Sequence, residues 1–508
     1  MQYGFVINHD ACIGCHACTT ACKAENDVPV GNFRTSVKYV EVGKFPFVRR
    51  HFLVQRCNHC TDAPCVKICP VNALSKRPDG IVDIDRDACI GCRACMQACP
   101  YDALYLNDDL GAVEKCHFCA HRIDKGLSPA CVNVCPVGAI VPGDLHDPNS
   151  PASRLKAQNE TKARRLEQKT GPNVHYVGAH DLAFEPGMVE RPSMYLWSDR
   201  PAAKPDAWPE GLPLAKDARV VLDAGHKVEW GWPVALYLLT KGIAAGVAVV
   251  APFLPLMGSP RFDLWIWPEI VSLFFTLVTV FLLIEDLKKP MHFYKLFTRP
   301  NMGSWLVKGG LILTAFAGVS ALICLIGLIG PIGPIDEQAL RWLNVPLGLA
   351  TAGYTAFLFA QCKGRDLWEH RLLLPSLLFQ ALFCGALFAG IARTFKSGEV
   401  GMGLGVFLSI AIVGQVGFLF LHLRMTHGKQ ETANGYQAAA FATSMRIGGQ
   451  KLESLAMKLV AGGQFFVIIS ALTGNGLAFA MLGALLACAG IYVMEHIYVR
   501  AGQLPPLS

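Results

Sequence analysis

Charge is what this 508-residue chain has least of: Asp, Glu, Lys and Arg make up 17% of it, where an ordinary soluble chain carries roughly 25%. Hydrophobic residues reach 52% and mean hydropathy is +0.34, which excludes a disordered chain and argues against a purely soluble one. Gly (48) and Pro (31) follow no fixed period, so collagen and a pure repeat array are excluded as well. A secretory signal is also lacking, because MQYGFVINHDACIGC enters a cysteine motif by residue 12 and leaves no room for an apolar region. Arg49-Arg50 and Arg164-Arg165 lie inside the chain with no apolar stretch behind them and do not read as export signals. No nucleotide-binding loop and no nucleophile triad is present. Cysteine is scarce beyond residue 135: of twenty, only Cys324, Cys362, Cys384 and Cys488 follow it. The chain therefore has two unlike halves.

Residues 1–145 form the cysteine-rich soluble half. Residues 146–228 read as an arm or linker, with Ser150-Pro151 starting a charged helix that runs to Gly171-Pro172. Residues 229–508 carry eight apolar runs, at 232–256, 264–284, 304–330, 342–362, 372–394, 401–423, 455–473 and 476–498. Each approaches the ~20 residues that a helix needs to cross a bilayer. Eight crossings return the chain to the side of the cysteine half. On that side lie Lys288, Lys289, Lys295, Arg299, Lys363, Arg365, Arg371, Arg424, Lys429, Arg446, Lys451 and Arg500; the other side has Arg261, Arg341, Arg393 and Lys396. The asymmetry places the cysteine half in the cytoplasm, at the inner membrane. The net charge of +7 is then loop charge of a membrane protein, not a nucleic-acid surface.

Sixteen cysteines fall in four groups: Cys12, Cys15, Cys18, Cys22; Cys57, Cys60, Cys65, Cys69; Cys89, Cys92, Cys95, Cys99; and Cys116, Cys119, Cys131, Cys135. The first and third have the bacterial ferredoxin spacing C-x2-C-x2-C-x3-C, and Pro70, Pro100 and Pro136 follow three of the groups. Three thiolates on a tight loop can cap three irons of a cubane while the fourth reaches a neighbouring cluster, so such groups work in pairs. Structural zinc would leave the third and fourth cysteines of each run unexplained. Disulfides are disfavoured in a cytoplasmic domain and cannot easily close across such short loops. The four later cysteines read as inert and buried.

CIGCHACTTACK, CNHCTDAPCVKICP, CIGCRACMQACP and CHFCAHRIDKGLSPACVNVCPVGAI resemble the four-cluster iron-sulfur subunit of complex iron-sulfur molybdoenzymes, the group of dimethyl sulfoxide, polysulfide and tetrathionate reductases. GDLHDPNSPAS at 143–153 is similar to the same subunit. The resemblance implies that groups one and four exchange their last cysteines, as do groups two and three. Cys12, Cys15, Cys18 would join Cys135; Cys116, Cys119, Cys131 would join Cys22; Cys57, Cys60, Cys65 would join Cys99; and Cys89, Cys92, Cys95 would join Cys69. Because Cys92 is kept, four 4Fe-4S clusters are expected rather than a 3Fe-4S cluster in one place. Lys23 stands where proline often follows.

The membrane half resembles the polysulfide-reductase (NrfD) type of anchor, through WGWPVALYLLTKGIAAG, LLIEDLKKPMHFYKLFTRPNMGSWLVKGG and EHIYVRAGQLPPLS. That resemblance implies a quinone site near the iron-sulfur side and no haem. The sequence agrees in placing His226, His292, His370, His422, His427 and His496 at or beyond the ends of the runs. Lys241, about nine residues into the first run, lies roughly 14 Å deep, where a charge is either functional or held by a buried partner. Tyr237 shares its helix face and Trp232 lies about a turn away, as wall and donor for a quinone or as interface anchors. Glu285 and Asp286 could take quinol protons, or be end charges neutralised by Lys288 and Lys289. His226, His292 and Tyr294 complete the candidates. Gln380, Gln415 and Gln464 are expected to hydrogen-bond between helices.

The fold expected is an α+β ferredoxin-like domain of two tandem double-cluster modules fused to an all-α eight-helix transmembrane bundle. With no pterin-binding domain of its own, the chain is expected to move electrons between a separate cytoplasmic molybdopterin (molybdenum or tungsten) subunit and the quinone pool. Membrane lipid is its other partner, and the complex is open to higher oligomers. Cytoplasmic placement favours oxidation of substrate and feeding of quinone. A quinone-linked or ion-translocating module with cytochrome or heterodisulfide-type partners and no molybdenum subunit is the alternative.

Overall fold

The computed structural model describes the chain apart from residues 191–208, 210–211, 213, 226–227, 254–265, 330–336, 398–401, 474–475 and 508. In the first half, Tyr3–Asn8 is a strand whose Phe5, Val6 and Ile7 are all buried, and it lies inside a four-stranded sheet. It pairs parallel with Val174–Val177 and antiparallel with Ile140–Asp144, and Thr161–Lys162 closes the edge beyond Val174–Val177. A second sheet is the hairpin of Thr35–Val42 and Arg49–Arg56, with Ala218–Leu222 added to its free edge. Three of these strands come from 146–228, so that segment adds to both sheets of the first half. Its helix is capped at Ser150, whose Oγ accepts from Ser153 N at 3.1 Å, but spans only Pro151–Gln158. Asn159 is extended, and Thr161–Lys162 joins the sheet where a longer charged helix was expected.

A helix-and-hairpin unit occurs twice, in the core that the first half shares with the membrane helices. Pro64–Ile68 precedes the hairpin Leu74–Lys76/Val82–Ile84, and Ala94–Ala98 precedes Leu104–Asn107/Ala112–Lys115.

The eight apolar runs fold as eight long helices: α1 Trp232–Val250, α2 Trp267–Glu285, α3 Trp305–Ile329, α4 Glu337–Ala360, α5 Leu373–Ser397, α6 Met402–His427, α7 Leu452–Thr473 and α8 Gly476–Gln503. Seven are long and apolar enough to cross a membrane among the described residues; in α5 that stretch is the shorter Leu373–Phe388. The first span is 89% buried and the other six 33–56%, which makes α1 the central helix. It touches α5 backbone to backbone: a Cβ on Gly246 would lie 1.8 Å from Ala381 O and one on Gly385 2.1 Å from Gly246 O. Only glycine permits this crossing, which follows the small-residue rule of membrane helix packing. α6 and α8 run past their apolar stretches, so His422 and His496 lie inside helices and not at the ends assigned from the sequence. The last turn of α8 is covered by protein, with Ala501, Gly502 and Gln503 buried, so that helix need not stop where the apolar run does.

The last described residues lock the halves together. Gln503 Oε1 accepts from Gln97 Nε2 (3.0 Å), Glu229 N (3.1 Å) and Trp230 N (2.9 Å), while its Nε2 donates to Trp230 O (2.8 Å) and Val499 O (3.0 Å). Arg164 Nη2 reaches Leu507 O at 2.8 Å, both residues being buried. Gln503→Ala strands several buried groups, each worth roughly 1–3 kcal/mol when left unpaired. A loss of about 3 kcal/mol in stability is expected, read as a lower thermal midpoint of the detergent-solubilised protein.

Candidate metal centre and membrane-facing site

The cysteine loops take their shape from backbone that only certain residues tolerate. Gly14 and Gly91 sit at φ +68° and +69°, and His16 and Arg93 both at φ 59°, so groups one and three bend identically before their helices Ala17–Asn26 and Ala94–Ala98. Cys69, Cys99 and Cys135 stand just past short helices that their prolines terminate. Lys23, in place of proline, lets the first helix continue to Asn26, and its Nζ ties the following loop through Pro29 O (3.1 Å) and Asn32 O (2.5 Å).

All sixteen cysteines are free thiols, and they gather into four quartets. Cys135 neighbours Cys12, which also faces Cys15 and Cys18. Cys22 neighbours Cys116, Cys119 and Cys131. Cys99 lies with Cys57, Cys60 and Cys65. Cys69 lies with Cys89, Cys92 and Cys95. This is the exchange of last cysteines that the resemblance implies. Among the described residues no three His, Cys, Asp or Glu side chains converge on one ion position. Three thiols on one loop with a fourth from a partner group suit the corners of a cubane.

The quartets also form a line. Cys18 lies within electrostatic reach of Cys131, Cys116 of Cys57, and Cys95 of Cys65, so each quartet neighbours the next. At one end Cys15 is exposed and Ile13 is 58% exposed beside it. The other end abuts the membrane half: Trp230 Nε1 donates to Cys92 O at 3.4 Å, and Asn301 Nδ2 to Cys69 O at 2.8 Å. Trp230 stacks on Trp368 (centroids 5.5 Å apart) and Phe359 (6.0 Å).

Beneath this end, Arg93 pairs with Asp286 at 2.7 Å and donates to Glu229 O at 2.8 Å. Burial raises the Asp286 carboxyl above its usual range and Arg93 opposes the rise. Glu285, next to it, is exposed and adds its negative charge to the surroundings of Asp286. Tyr237 is buried within electrostatic reach of Asp286 above and Glu495 below. Lys241 is 1% exposed; its Nζ donates to Thr355 Oγ1, lies 4.6 Å from the Tyr354 ring centroid and 5.9 Å from that of Tyr237, and faces Glu495. The structure thus brings Tyr237, Lys241 and Asp286 into one column. Trp232, 52% exposed, and Tyr294, 50% exposed, stay at the surface, the latter in a loop with His292, whose Nδ1 meets Lys295 Nζ at 3.2 Å. His226 lies outside the described residues.

Glu495, Tyr354, Thr355 and Arg93 were not among the sequence candidates. Glu495 carries the signal that singled out Lys241, an ionisable residue inside an apolar run, at a position three residues from the run's apparent end. Gln380 lies beside Glu495 across the helices. Neither amide atom of Gln464 has a hydrogen-bond partner among the described residues, so the interhelical bond expected of that glutamine is not formed.

The model of the family "Polysulphide reductase, NrfD" matches residues 220–504, more than half of the chain. The chain belongs to the NrfD family. Ahead of that domain, a 4Fe-4S dicluster domain matches residues 48–145 and a 4Fe-4S binding domain residues 9–26. A tetrathionate reductase subunit of Salmonella typhimurium is 41% identical over 202 residues, 39% of this chain and 80% of that protein. The arsenate respiratory reductase iron-sulfur subunit of a Shewanella species is 36% identical over 225 residues, 35% of this chain and 96% of its own length. A selenate reductase subunit of Mesobacillus selenatarsenatis is 36% identical over 210 residues, 35% of this chain and 72% of its length. This NrfD protein is therefore a multi-span membrane protein fused to an iron-sulfur electron-transfer region that is homologous to subunits of oxidoreductase complexes.

Proposed function

We propose that this NrfD protein is the electron-transfer and anchor subunit linking a separate cytoplasmic molybdopterin subunit, with molybdenum or tungsten, to the quinone pool. The observation that carries the reading is the line of four thiol quartets from exposed Cys15 to Cys92, where Trp230 and Arg93 seat the last quartet on the bundle. Bound there, four 4Fe-4S clusters would supply one-electron transfer, with the sixteen cysteines as ligands. The exposed end, with its apolar Ile13, is the face for the catalytic partner, in keeping with homology to reductase subunits. The buried column of Asp286, Tyr237 and Lys241, with Glu495, is the quinone-facing site: two-electron reduction of a quinone also consumes two protons, and these groups can hold and move them. Trp232, Glu285, His292 and Tyr294 form its rim, and His226 is kept as a candidate by sequence alone. The excess of Lys and Arg on the cluster side supports a cytoplasmic iron-sulfur region.

The test is metal and pterin analysis of the complex solubilised with its native partners, together with reoxidation of dithionite-reduced protein by a short-chain quinone. About sixteen iron per copy of this chain, with molybdenum or tungsten and quinone-driven bleaching reversal, is the expected result. Iron without molybdenum, tungsten or pterin removes the catalytic partner from the reading; unchanged absorbance with quinone removes the quinone site; zinc in place of iron removes all of it.

A further inference from the structure

Two buried cations stand at the junctions of the thiol line without a carboxylate to pair with. Arg56, at the end of the strand Arg49–Arg56, is buried with its guanidinium facing Cys18 of one quartet and Cys116 and Cys131 of the next. Its Nη1 is 3.4 Å from Cys131 Sγ and its guanidinium carbon 4.5 Å from the Phe5 ring centroid, while Nε and Nη2 have no hydrogen-bond partner among the described residues. Lys115 is 1% exposed, donates from Nζ to Val82 O and to Cys116 O (2.9 Å), and faces Cys65 of the third quartet. Neither makes an ion pair with an acidic side chain among the described residues. Three other buried cations near the line do: Arg34 with Glu114 (3.1 Å), Arg93 with Asp286 (2.7 Å) and Arg365 with Asp102 (3.8 Å).

An unpaired buried charge is too costly to keep unless something else balances it. At both junctions the anionic groups at hand are cysteine thiolates. A cubane held by four thiolates is net anionic, and becomes more so by one charge when reduced. A fixed cation beside it therefore favours the reduced form.

We infer that Arg56 and Lys115 are potential-setting residues, Arg56 for the two clusters on either side of the first junction and Lys115 for those on either side of the second. This rests on the four-cluster reading above. No proton or group is transferred. They keep adjoining clusters from falling far below their neighbours, which would otherwise make an uphill step in the middle of the line.

The experiment is an EPR-monitored redox titration of the detergent-solubilised full chain with its native partners, comparing wild type with Arg56→Gln, Arg56→Lys, Lys115→Gln and Lys115→Arg. In each glutamine variant the reduced-to-oxidised ratio of the two adjoining clusters, at a fixed poise, should fall about tenfold, equal to about 59 mV for one electron. The two remote clusters should hold theirs, and the charge-keeping variants should stay near wild type. Full iron with unmoved potentials overturns the inference, as does an equal shift of all four clusters. If a glutamine variant loses iron, retention of iron in the charge-keeping variant supports the charge role; loss in both overturns it, since shape would then be the requirement. Wild type without any iron-sulfur signal would instead sink the four-cluster reading itself.

Discussion

Lys241→Met should lower quinone-driven reoxidation of the reduced protein by about 100-fold or more while ferricyanide, which takes electrons without protons, still oxidises the clusters at the wild-type rate. Lys241 cannot reach either surface, because it sits mid-helix on the most buried span, with Nζ held by Thr355 and enclosed by Tyr237 and Tyr354. Such a charge survives in the bilayer interior only when paired, and Glu495 is the group it faces. Methionine keeps the length and the apolar stem but removes the charge and the donors. It also leaves Glu495 buried beside no cation, a change that can destabilise by several kcal/mol. The double variant Lys241→Met/Glu495→Gln separates the two effects. It should recover the thermal midpoint and not the quinone reaction. Recovery of both would make the pair structural and move the quinone site elsewhere.

Cys95→Ala should break the line at its membrane end. Cys95 neighbours all three other thiols of its quartet and also Cys65 of the quartet before it. Losing this ligand should remove up to about four iron from roughly sixteen and stop quinone-driven reoxidation of the remaining clusters, because the next quartet is separated from the bundle by the one now empty. Cys15→Ala, at the exposed end, should cost similar iron yet leave the quinone reaction within about twofold of wild type. Equal loss from the two variants would contradict the order of the quartets.

The cysteine spacings of groups one and three were legible because three of their four ligands are local: the loop that Gly14 or Gly91 turns is short enough for its residues alone to define it. The eight apolar runs were legible for the same reason. What the sequence hid was set by contacts across long separations. Thr161–Lys162 and Ala218–Leu222 become strands only because Val174–Val177 and Thr35–Val42 offer them edges. The length of an apolar run says nothing of which helix end is covered by protein, so α8 continues past Glu495 and past the end of its run to Gln503. Arg56 and Lys115 look like ordinary residues beside cysteines until Cys18, Cys65 and Cys131 arrive from elsewhere in the chain.

Gln503 and Leu507 have a consequence for how the molecule is made. Gln503 ends the last of the eight helices and Leu507 follows it, and until they exist neither Trp230 N nor Arg164 Nη2 has the acceptor that it finds in the folded chain. At about 5–20 residues per second, the nearly 280 residues from 230 onward take on the order of 15–60 s to synthesise. Contacts of the Cys92 quartet with Trp230, Asp286 and Asn301 are available as soon as the second inter-helix loop is made. The C-terminal seal over Trp230 and Arg164 is the part of the junction that comes last.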